Sequence, residues 1–492
     1  MWGAVVAWHY HRLGFTLTHY DARGHLIVAR RIFDSITPGW QQIGAVWLPL
    51  PHLLNAIPVQ IDLFYRTGAS AVAISIVSFA IATSAIAWIV FALTNSTLAA
   101  LTGAAVFALN PNVLYLQATP MTEPLLLATT TAAIAMLMKA LVPAVDAGRA
   151  KDLVFPASSA VRAASLVFAL ACLTRYEAWP VTAAAIGLVP IVRWRQGRSF
   201  TDGSREAASL ALYPVVAVLG FSIFSRVVIG QWFVSGDFFV PENKALGDPL
   251  VALKEIGWGT QMLSGSLLAW IAVAGLVVLA VRVIVRREDA HAILPLALLA
   301  MAAVAWSAFY KGHPFRIRYM VPLMAVEAIG AGVLAGVVRS AKASRSPIAS
   351  RSVAVLVLAL VVFELRPLDA SAPMVVEAQW DRPNLAARAR VTACLDAPGR
   401  GEKIMASMGS LGHYMQQASE AGFDIRDFLH EGNGDIWLAA LESPRPFADW
   451  ILIEEKAEGG DMLAQIARAR PSFLNGYARV CEGAGLALYK RR

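Results

Sequence analysis

Long runs of apolar residues recur along the chain of 492 residues and limit what it can fold into. A helix that crosses a bilayer needs roughly 20 mostly apolar residues, and a soluble fold of this length could not hide so many such runs from water. The predicted fold class is therefore a predominantly α, multi-pass transmembrane bundle. Reading the runs in order predicts about eleven spans, near residues 2–17, 69–93, 97–116, 122–142, 158–173, 178–193, 208–229, 263–285, 291–309, 319–338 and 352–366.

The composition supports a membrane location. Hydrophobic residues make up 57% of the chain and charged residues only 15%, whereas soluble domains carry about 25% charged residues. The net charge is +8, but most Lys and Arg stand in short clusters beside apolar runs rather than in a basic module that could bind nucleic acid. We therefore expect an integral protein of a bacterial inner membrane, with membrane lipids and no nucleic acid as partners.

Basic clusters in alternate loops predict the orientation. They lie near residues 139–162, 193–205, 282–287 and 339–351, and the positive-inside bias assigns these four loops to the cytoplasm. The outward segments are then residues 19–66, 110–121, the turn around Arg175, 230–262, 310–318 and everything after about 366. Nearly all unusual polar residues fall in this outward set, which a bundle stabilised only by packing would not require.

Two outward segments have structure of their own. Residues 19–66 are too long for a simple connection, and apolar residues at helical spacing over 22–35 predict interfacial helices that start with one amphipathic helix. The first apolar run before them is short and starts at residue 1, so we expect either an upstream start or a remnant helix.

The composition turns mixed after residue 366, which predicts a transmembrane domain over 1–366 and a small extracytoplasmic α/β domain over 367–492. Short strands are predicted at 403–407, 450–454 and 486–490, and a helix at 461–470. Cys394 and Cys481 both lie in this domain. In an oxidising compartment we favour a disulfide between them over two free thiols, which remain the alternative.

Two acidic residues are the candidates for catalysis. Asp21, in His19-Tyr20-Asp21, stands at the outer membrane boundary, where desolvation can tune a carboxylate as a general base. Glu123 follows Thr122 at the outer start of the fourth span. Each has a structural alternative, because Asp21 could cap the helix that begins at residue 22, and Thr122 could cap a helix that has Glu123 in its first turn.

The candidates for binding a phosphate group are basic residues on the same outer side. Arg175 stands two residues before Glu177 in a tight turn, where the alternative is a local ion pair of little energetic value. His313, Arg316 and Arg318 lie in a short segment with Lys311, and Arg geometry suits phosphate; attraction to lipid headgroups alone is the alternative. Lys244 stands in an outward loop between Trp232 and Trp258, which the interfacial aromatic belt explains equally well.

The order and common sidedness of these motifs resemble the GT-C superfamily of integral membrane glycosyltransferases, in the branch of protein O-mannosyltransferases and aminoarabinose lipid A transferases. The motifs are Tyr20-Asp21, Thr122-Glu123-Pro124, Arg175-Tyr176-Glu177 and Arg318-Tyr319. The resemblance covers roughly residues 15–340. It implies a polyprenyl-phosphate-linked sugar as donor, transfer on the outer face, and a glycan, lipid or protein as acceptor.

The resemblance also implies individual roles. Asp21 would be the general base or the acid that orients the acceptor, with Glu123 as its partner. Arg175, Lys244, Arg316 and Arg318 would contact the donor phosphate. No cofactor is predicted, although a divalent metal could bridge Asp21 and Glu123 to the phosphate.

A polytopic transporter of a lipid or small solute is the main alternative function. Transporters place charged residues near the bilayer midplane and often repeat broken helices in both halves of the chain. In this sequence the charges stand at one edge of the predicted bundle, and no internal repeat is visible.

Overall fold

The computed structural model describes residues 1–44, 46–141, 157–230, 232, 243–287, 289–337, 347–395, 401–456 and 461–492. Helices make up 71% of it, which confirms the predominantly α fold class. The N-terminal part begins with α1 (Trp2–Arg12) and continues with three helices of the loop that was predicted to face outward and that we call the first outer loop, α2 (Tyr20–Arg30), α3 (Leu50–Asn55) and α4 (Asp62–Thr67). The 3₁₀ helices Trp40–Ile43 and Pro58–Gln60 connect them.

The bundle follows in helices α5 (Ala69–Thr94), α6 (Thr97–Ala108), α7 (Pro111–Leu116), α8 (Glu123–Leu141), α9 (Ala157–Cys172), α10 (Ala178–Arg195), α11 (Phe200–Ile229), α12 (Pro249–Ser264), α13 (Ser266–Val285), α14 (Ala302–Tyr310), α15 (Met324–Val337) and α16 (Pro347–Leu365). The 3₁₀ helices Ala290–Met301 and Ile317–Leu323 lead into α14 and α15.

Each of the eleven predicted apolar segments contains a helix, but the count of eleven spans is not confirmed. Within the described residues, six stretches are long and apolar enough to cross a membrane: Ala69–Thr94, Glu123–Leu141, Phe200–Val228, Ser266–Val285, Ala290–Tyr310 and Ile317–Gly336. The segment predicted at 97–116 is broken, because Asn110 caps a new helix that has Pro111 at its first position. A proline there has no N–H to continue the preceding helix.

Small residues let the bundle helices approach closely. Gly275 of α13 faces Gly330 of α15, and a Cβ atom at either glycine would collide with the backbone of the facing helix. Such backbone-to-backbone packing is typical of membrane helices, where apolar burial gives no net advantage over lipid. The largest apolar cluster joins these helices to α1, α5, α6, α8 and α10.

The C-terminal part contains the predicted sheet. Its elements are α17 (Pro373–Glu377), α18 (Leu385–Thr392), β1 (Ile404–Ala406), α19 (Met408–Ala418), β2 (Phe428–Leu429), α20 (Asp435–Glu442), β3 (Trp450–Glu454), α21 (Met462–Ala469), β4 (Tyr477–Gly483) and β5 (Leu486–Arg491). The strand order is β2-β1-β3-β5-β4, with β1 parallel to β2 and β3, and β5 antiparallel to β3 and β4. The predicted Cys394–Cys481 disulfide is confirmed.

The boundary predicted between residues 366 and 367 stays a prediction. Met374 and Val375 of α17 belong to the apolar cluster of the bundle, and the backbone N–H of Met374 donates to Asn112 at 2.9 Å. The sheet domain is joined to the first outer loop as well, because Leu26, Ile27 and Ala29 of α2 share an apolar cluster with Tyr414, Met415 and Phe428. The helix that carries Asp21 therefore contributes to the core of the C-terminal domain.

Candidate active site

Asp21 is the second residue of α2, and His19 is the N-cap of this helix. The side chain of His19 accepts the hydrogen bond from the Asp21 backbone N–H at 3.1 Å. The alternative that Asp21 caps a helix starting at residue 22 is therefore wrong. Since His19 satisfies this backbone donor, the carboxylate of Asp21, in a residue only 8% exposed, is available for other contacts.

The carboxylate of Asp21 forms an ion pair with Arg318, at the start of the 3₁₀ helix Ile317–Leu323. Both side chains are 12% exposed. Burial raises the pKa of Asp21, but the adjacent Arg318 guanidinium outweighs it and holds this pKa below the ordinary range of an aspartate. Arg318 is not saturated, because its buried Nε atom has no hydrogen-bond partner among the described residues, whereas its Nη1 atom faces Asp21. A guanidinium in this state can receive an oxyanion.

Arg175 organises a second ionic group at the turn between α9 and α10. It donates to Glu177 through Nη2 at 2.6 Å and to the Thr122 hydroxyl through Nη1 at 3.0 Å. The same Nη1 lies 2.9 Å from Glu123 Oε1, yet neither carboxylate oxygen of Glu123 has a hydrogen-bond partner among the described residues. Glu123 is thus a fully buried carboxylate that is close to a cation but unsatisfied.

Burial lowers the pKa of Arg175, but Glu123 and Glu177 outweigh this effect and raise it above the ordinary value. Burial raises the pKa of Glu177, but the charge of Arg175 lowers it by a larger amount, so the net shift is downward. The pair is therefore charged. The alternative of an exposed local ion pair is not what the structure shows, since the side chains of Arg175 and Glu177 are 13% and 7% exposed.

The two ionic groups form one site. Arg318 interacts electrostatically with Glu123 as well as with Asp21, and Arg175 with Arg318. We call these five residues the outer site: Asp21, Glu123, Arg175, Glu177 and Arg318. They come from α2, the start of α8, the turn before α10 and the start of a late helix, so residues far apart in sequence meet at one end of the bundle.

No protein-family model matches the chain, and no curated protein matches it by sequence. Solved structures match its fold. ArnT from Cupriavidus metallidurans bound to undecaprenyl phosphate aligns with a TM-score of 0.58 and 12% identity, over 99% of this chain and 97% of that one. Its apo state aligns with a TM-score of 0.54 and 13% identity, over the same shares.

The oligosaccharyltransferase of Archaeoglobus fulgidus in complex with Zn and sulfate aligns with a TM-score of 0.51 and 12% identity, over 97% of this chain and 71% of that one. Both neighbours are GT-C glycosyltransferases. The chain has a GT-C fold. The resemblance predicted from short motifs is confirmed at this level.

Other predicted residues border the outer site of this GT-C fold. Arg316 lies over the ring of Trp380, with 5.2 Å between its Cζ and the ring centroid, and His313 is near the Tyr319 hydroxyl, 3.3 Å from Nε2. Lys244 is exposed and acts electrostatically on Glu255, so it is not part of the buried group. Residues 231 and 233–242 of its loop, with Phe238 and Phe239, lie outside the described residues.

Sequence reasoning missed Glu377 on α17. Its Oε2 accepts the backbone N–H of Ile317 at 2.7 Å, and its charge acts on Arg318 and Arg316. Burial raises the pKa of Glu377 despite these two cations. The residue ties the C-terminal part to the segment that carries Arg318. Only its position in an apolar stretch, Met374-Val375-Val376-Glu377, could have drawn attention to it.

The divalent metal that could bridge Asp21 and Glu123 would find few suitable ligands in the structure. Asp21 and Glu123 each face an arginine, and the described residues contain no group of three or more His, Cys, Asp or Glu side chains that could hold a metal ion. The arginines already supply positive charge where a metal would sit.

Proposed function

We propose that the protein transfers a sugar from a polyprenyl-phosphate-linked donor to an acceptor hydroxyl on the extracytoplasmic side of the membrane. The observation that carries the proposal is the outer site itself, where the buried Nε atom of Arg318 and the carboxylate of Glu123 lack hydrogen-bond partners among the described residues. Buried polar atoms are normally satisfied, and exceptions in a native structure call for an explanation. The GT-C fold, shared with a structure that holds undecaprenyl phosphate, supports a lipid phosphate as the ligand.

Arg318 is proposed to bind the donor phosphate. A phosphate oxygen would accept a hydrogen bond from its free Nε atom, and the positive charge of the guanidinium would attract the oxyanion. Arg175, His313 and Arg316 add positive or hydrogen-bonding character around this position. Lys244, being exposed, is proposed only as a contact for the lipid headgroup region.

Phosphate binding would also activate Asp21. While Arg318 faces the carboxylate, it keeps the pKa of Asp21 low and the residue is a weak base. When a phosphate shares the guanidinium, that effect weakens, and burial makes the carboxylate more basic. The donor would thus switch on the base that it needs.

The proposed transfer step forms one bond and breaks another. The acceptor oxygen forms a bond to the anomeric carbon, and the bond between that carbon and the phosphate oxygen breaks. The electron pair stays on the polyprenyl phosphate, whose negative charge Arg318 stabilises. The hydroxyl proton passes to Asp21. Glu123 and Glu177 hold Arg175 beside this site, and Glu123 is proposed to orient the acceptor.

The outward orientation and a bacterial inner membrane are part of the proposal. They are supported by the basic clusters in alternate loops of the sequence. A disulfide in the C-terminal domain fits an oxidising compartment. The acceptor would be a glycan, a lipid or a protein.

The test is transfer of radiolabelled sugar from synthetic undecaprenyl phosphate sugars to membrane extracts by the purified full-length protein. Asp21→Asn should abolish transfer at equal folded amount while binding of undecaprenyl phosphate persists. Asp369→Asn, at a partly exposed position outside the outer site, is the matched control and should transfer normally. Absence of both binding and transfer in the unmodified protein would contradict the proposal and favour the transporter alternative.

A further inference from the structure

A cleft beside the outer site contains a histidine whose hydrogen bonding is only half complete. The cleft lies between the first outer loop and helices α5 and α8, and its polar lining consists of His25, His52, Asn55, Ser75 and Thr122. All five residues are buried. His25 Nε2 has no hydrogen-bond partner among the described residues, so the cleft contains a buried polar atom that its own walls do not satisfy.

The neighbouring bonds fix what this nitrogen can do. His52 Nδ1 lies 3.1 Å from the Leu48 carbonyl oxygen, which can only accept, so Nδ1 carries the proton. Burial lowers the pKa of His52 to about 3, so the ring is neutral and its Nε2 is an acceptor. His25 Nδ1, 3.1 Å from that Nε2, must be the donor.

Burial likewise lowers the pKa of His25 well below its ordinary value, with His52 and nearby arginines contributing. A neutral imidazole with its proton on Nδ1 has a lone pair on Nε2. The series of hydrogen bonds from Leu48 through His52 therefore leaves His25 Nε2 as a hydrogen-bond acceptor. A ligand that completes this series must donate a hydrogen bond.

Thr122 supplies the complementary group. Its Oγ1 accepts from Arg175 at 3.0 Å, and its own O–H remains able to donate. An acceptor on His25 and a donor on Thr122, lining the same cleft, match a hydroxyl group, which both donates and accepts.

The position of the cleft connects it to the outer site. His25 stands one turn after Asp21 on α2, on the same face of the helix. Thr122 directly precedes Glu123. Two residues that line the cleft are thus close neighbours, along α2 or along the chain, of the two carboxylates that the proposed reaction uses.

We propose that this cleft binds a hydroxyl group of a sugar ring, with His25 Nε2 accepting from it and Thr122 donating to it. The inference rests on the proposed function, and the ring could belong to the donor sugar or to the acceptor. His25 Nε2 has almost no exposed surface, so a neighbouring side chain must move for the ring to enter. Trp47 is one such neighbour, since its ring centroid lies 4.2 Å from that of His25.

The experiment compares two substitutions at position 25 in the full-length protein. His25→Met removes the acceptor, and we expect kcat/KM for transfer to fall about tenfold, as for an unpaired substrate hydroxyl. His25→Gln places a side-chain amide oxygen near the position of Nε2 and should retain most of the activity. His52→Phe removes the partner that fixes the tautomer and should give an intermediate loss.

The kinetic parameters identify the source of the hydroxyl. A rise in KM for the undecaprenyl phosphate sugar assigns the cleft to the donor, and a rise in KM for the acceptor assigns it to the acceptor. With a deoxy analogue that lacks the contacted hydroxyl, His25→Met should have no further effect, whereas a merely structural defect would persist.

Binding of undecaprenyl phosphate alone, which has no sugar ring, separates this inference from the proposed function. Loss of that binding in the unmodified protein would contradict the function itself. If the lipid binds and transfer proceeds, but His25→Met has unchanged kinetics for both substrates, the cleft holds only water and the inference is wrong. Equal loss in His25→Met and His25→Gln would also overturn it.

Discussion

Two buried ionic clusters lie near opposite ends of α2, and their hydrogen bonding differs. At the start of the helix, the outer site leaves Glu123 and the Nε atom of Arg318 without hydrogen-bond partners among the described residues. Near the end, all three kinds of nitrogen in Arg30 donate, to Asp34 at 2.9 Å, Asp62 at 2.8 Å and Asp424 at 3.2 Å. We call this second group, with Arg426, the docking cluster.

Asp34 is satisfied as completely. Besides the contact with Arg30, it accepts from the Arg426 side chain at 2.9 Å and from the backbone N–H groups of Ile425 and Arg426 at 3.2 Å. The docking cluster therefore joins α2 to the C-terminal domain. A saturated network rigidifies a structure, whereas an unsaturated buried network is poised for a ligand. We therefore expect the docking cluster, near the end of α2, to stabilise the fold, and the outer site, at its start, to take part in the reaction.

Arg318→Met should have the largest effect. Loss of a positioned cation that stabilises the leaving phosphate is expected to lower kcat by about 10²–10³-fold. Arg318→Lys should recover part of this activity, because a lysine keeps the charge but not the paired donors.

The pH dependence of the same variant tests the link to Asp21. Arg318 holds the pKa of Asp21 below its ordinary range, against the upward effect of burial. Activity through the basic form is lost as the pH falls through this pKa, so the acid limb of kcat/KM should lie at low pH in the unmodified protein. In Arg318→Met it should move to higher pH. An unmoved limb would show that Asp21 is not the base.

Asp34→Ala should instead lower stability. Asp34 is 2% exposed, and its removal leaves the buried Arg30 without its most buried partner; breaking a buried pair typically costs about 3–5 kcal/mol. We expect a lower midpoint in thermal unfolding of the detergent-solubilised protein. Transfer per folded molecule, measured well below that midpoint, should remain close to the unmodified value. A selective loss of kcat would break the division between the two clusters.

Glu123→Gln should have the opposite effect to Asp34→Ala, since it should lower activity without lowering stability. Arg175 faces two carboxylates, Glu123 and Glu177, so this group has one uncompensated negative charge in a buried place. Neutralising Glu123 removes the cost of burying that charge, and stability should stay equal or rise by about 1 kcal/mol. Transfer should fall at least tenfold, as typically found when a proton-handling or orienting carboxylate is lost. A strongly destabilised variant would make Glu123 a structural residue.

The sequence predicted the helical bundle and the members of the outer site for different reasons. Apolar runs locate helices because bilayer thickness fixes their length. The sidedness of polar residues grouped Asp21, Glu123, Arg175 and Arg318, which the structure indeed brings together. Their pairing could not be predicted, because Arg318 follows Asp21 by almost 300 residues and only the folded bundle sets which carboxylate it meets.

Other features left no signal in the sequence. In the sequence, Arg30 and Asp34 of the docking cluster are typical of the polar face of an amphipathic helix. No local feature indicates that a domain about 390 residues later in the chain covers them. β4 was missed because most of its residues are polar or partly exposed, without the apolar alternation of a half-buried strand. Lys244 was selected for its charge, but its exposure separates it from the buried group.

Asp62→Asn is the mildest perturbation of the docking cluster and tests whether burial sets the energetic weight within it. Asp62 contacts the same guanidinium as Asp34, but its side chain is 53% exposed, so solvent screens the pair and a loss of at most about 1 kcal/mol is expected.

The hydrogen bond from Arg30 lowers the pKa of Asp62. Its contribution is therefore present above the ordinary aspartate pKa of about 3.9 and lost as the pH falls below it. Unfolding midpoints of Asp62→Asn and the unmodified protein should differ slightly at neutral pH and converge in acid. A loss as large as that of Asp34→Ala would mean that the number of partners, rather than their burial, determines the strength of the cluster.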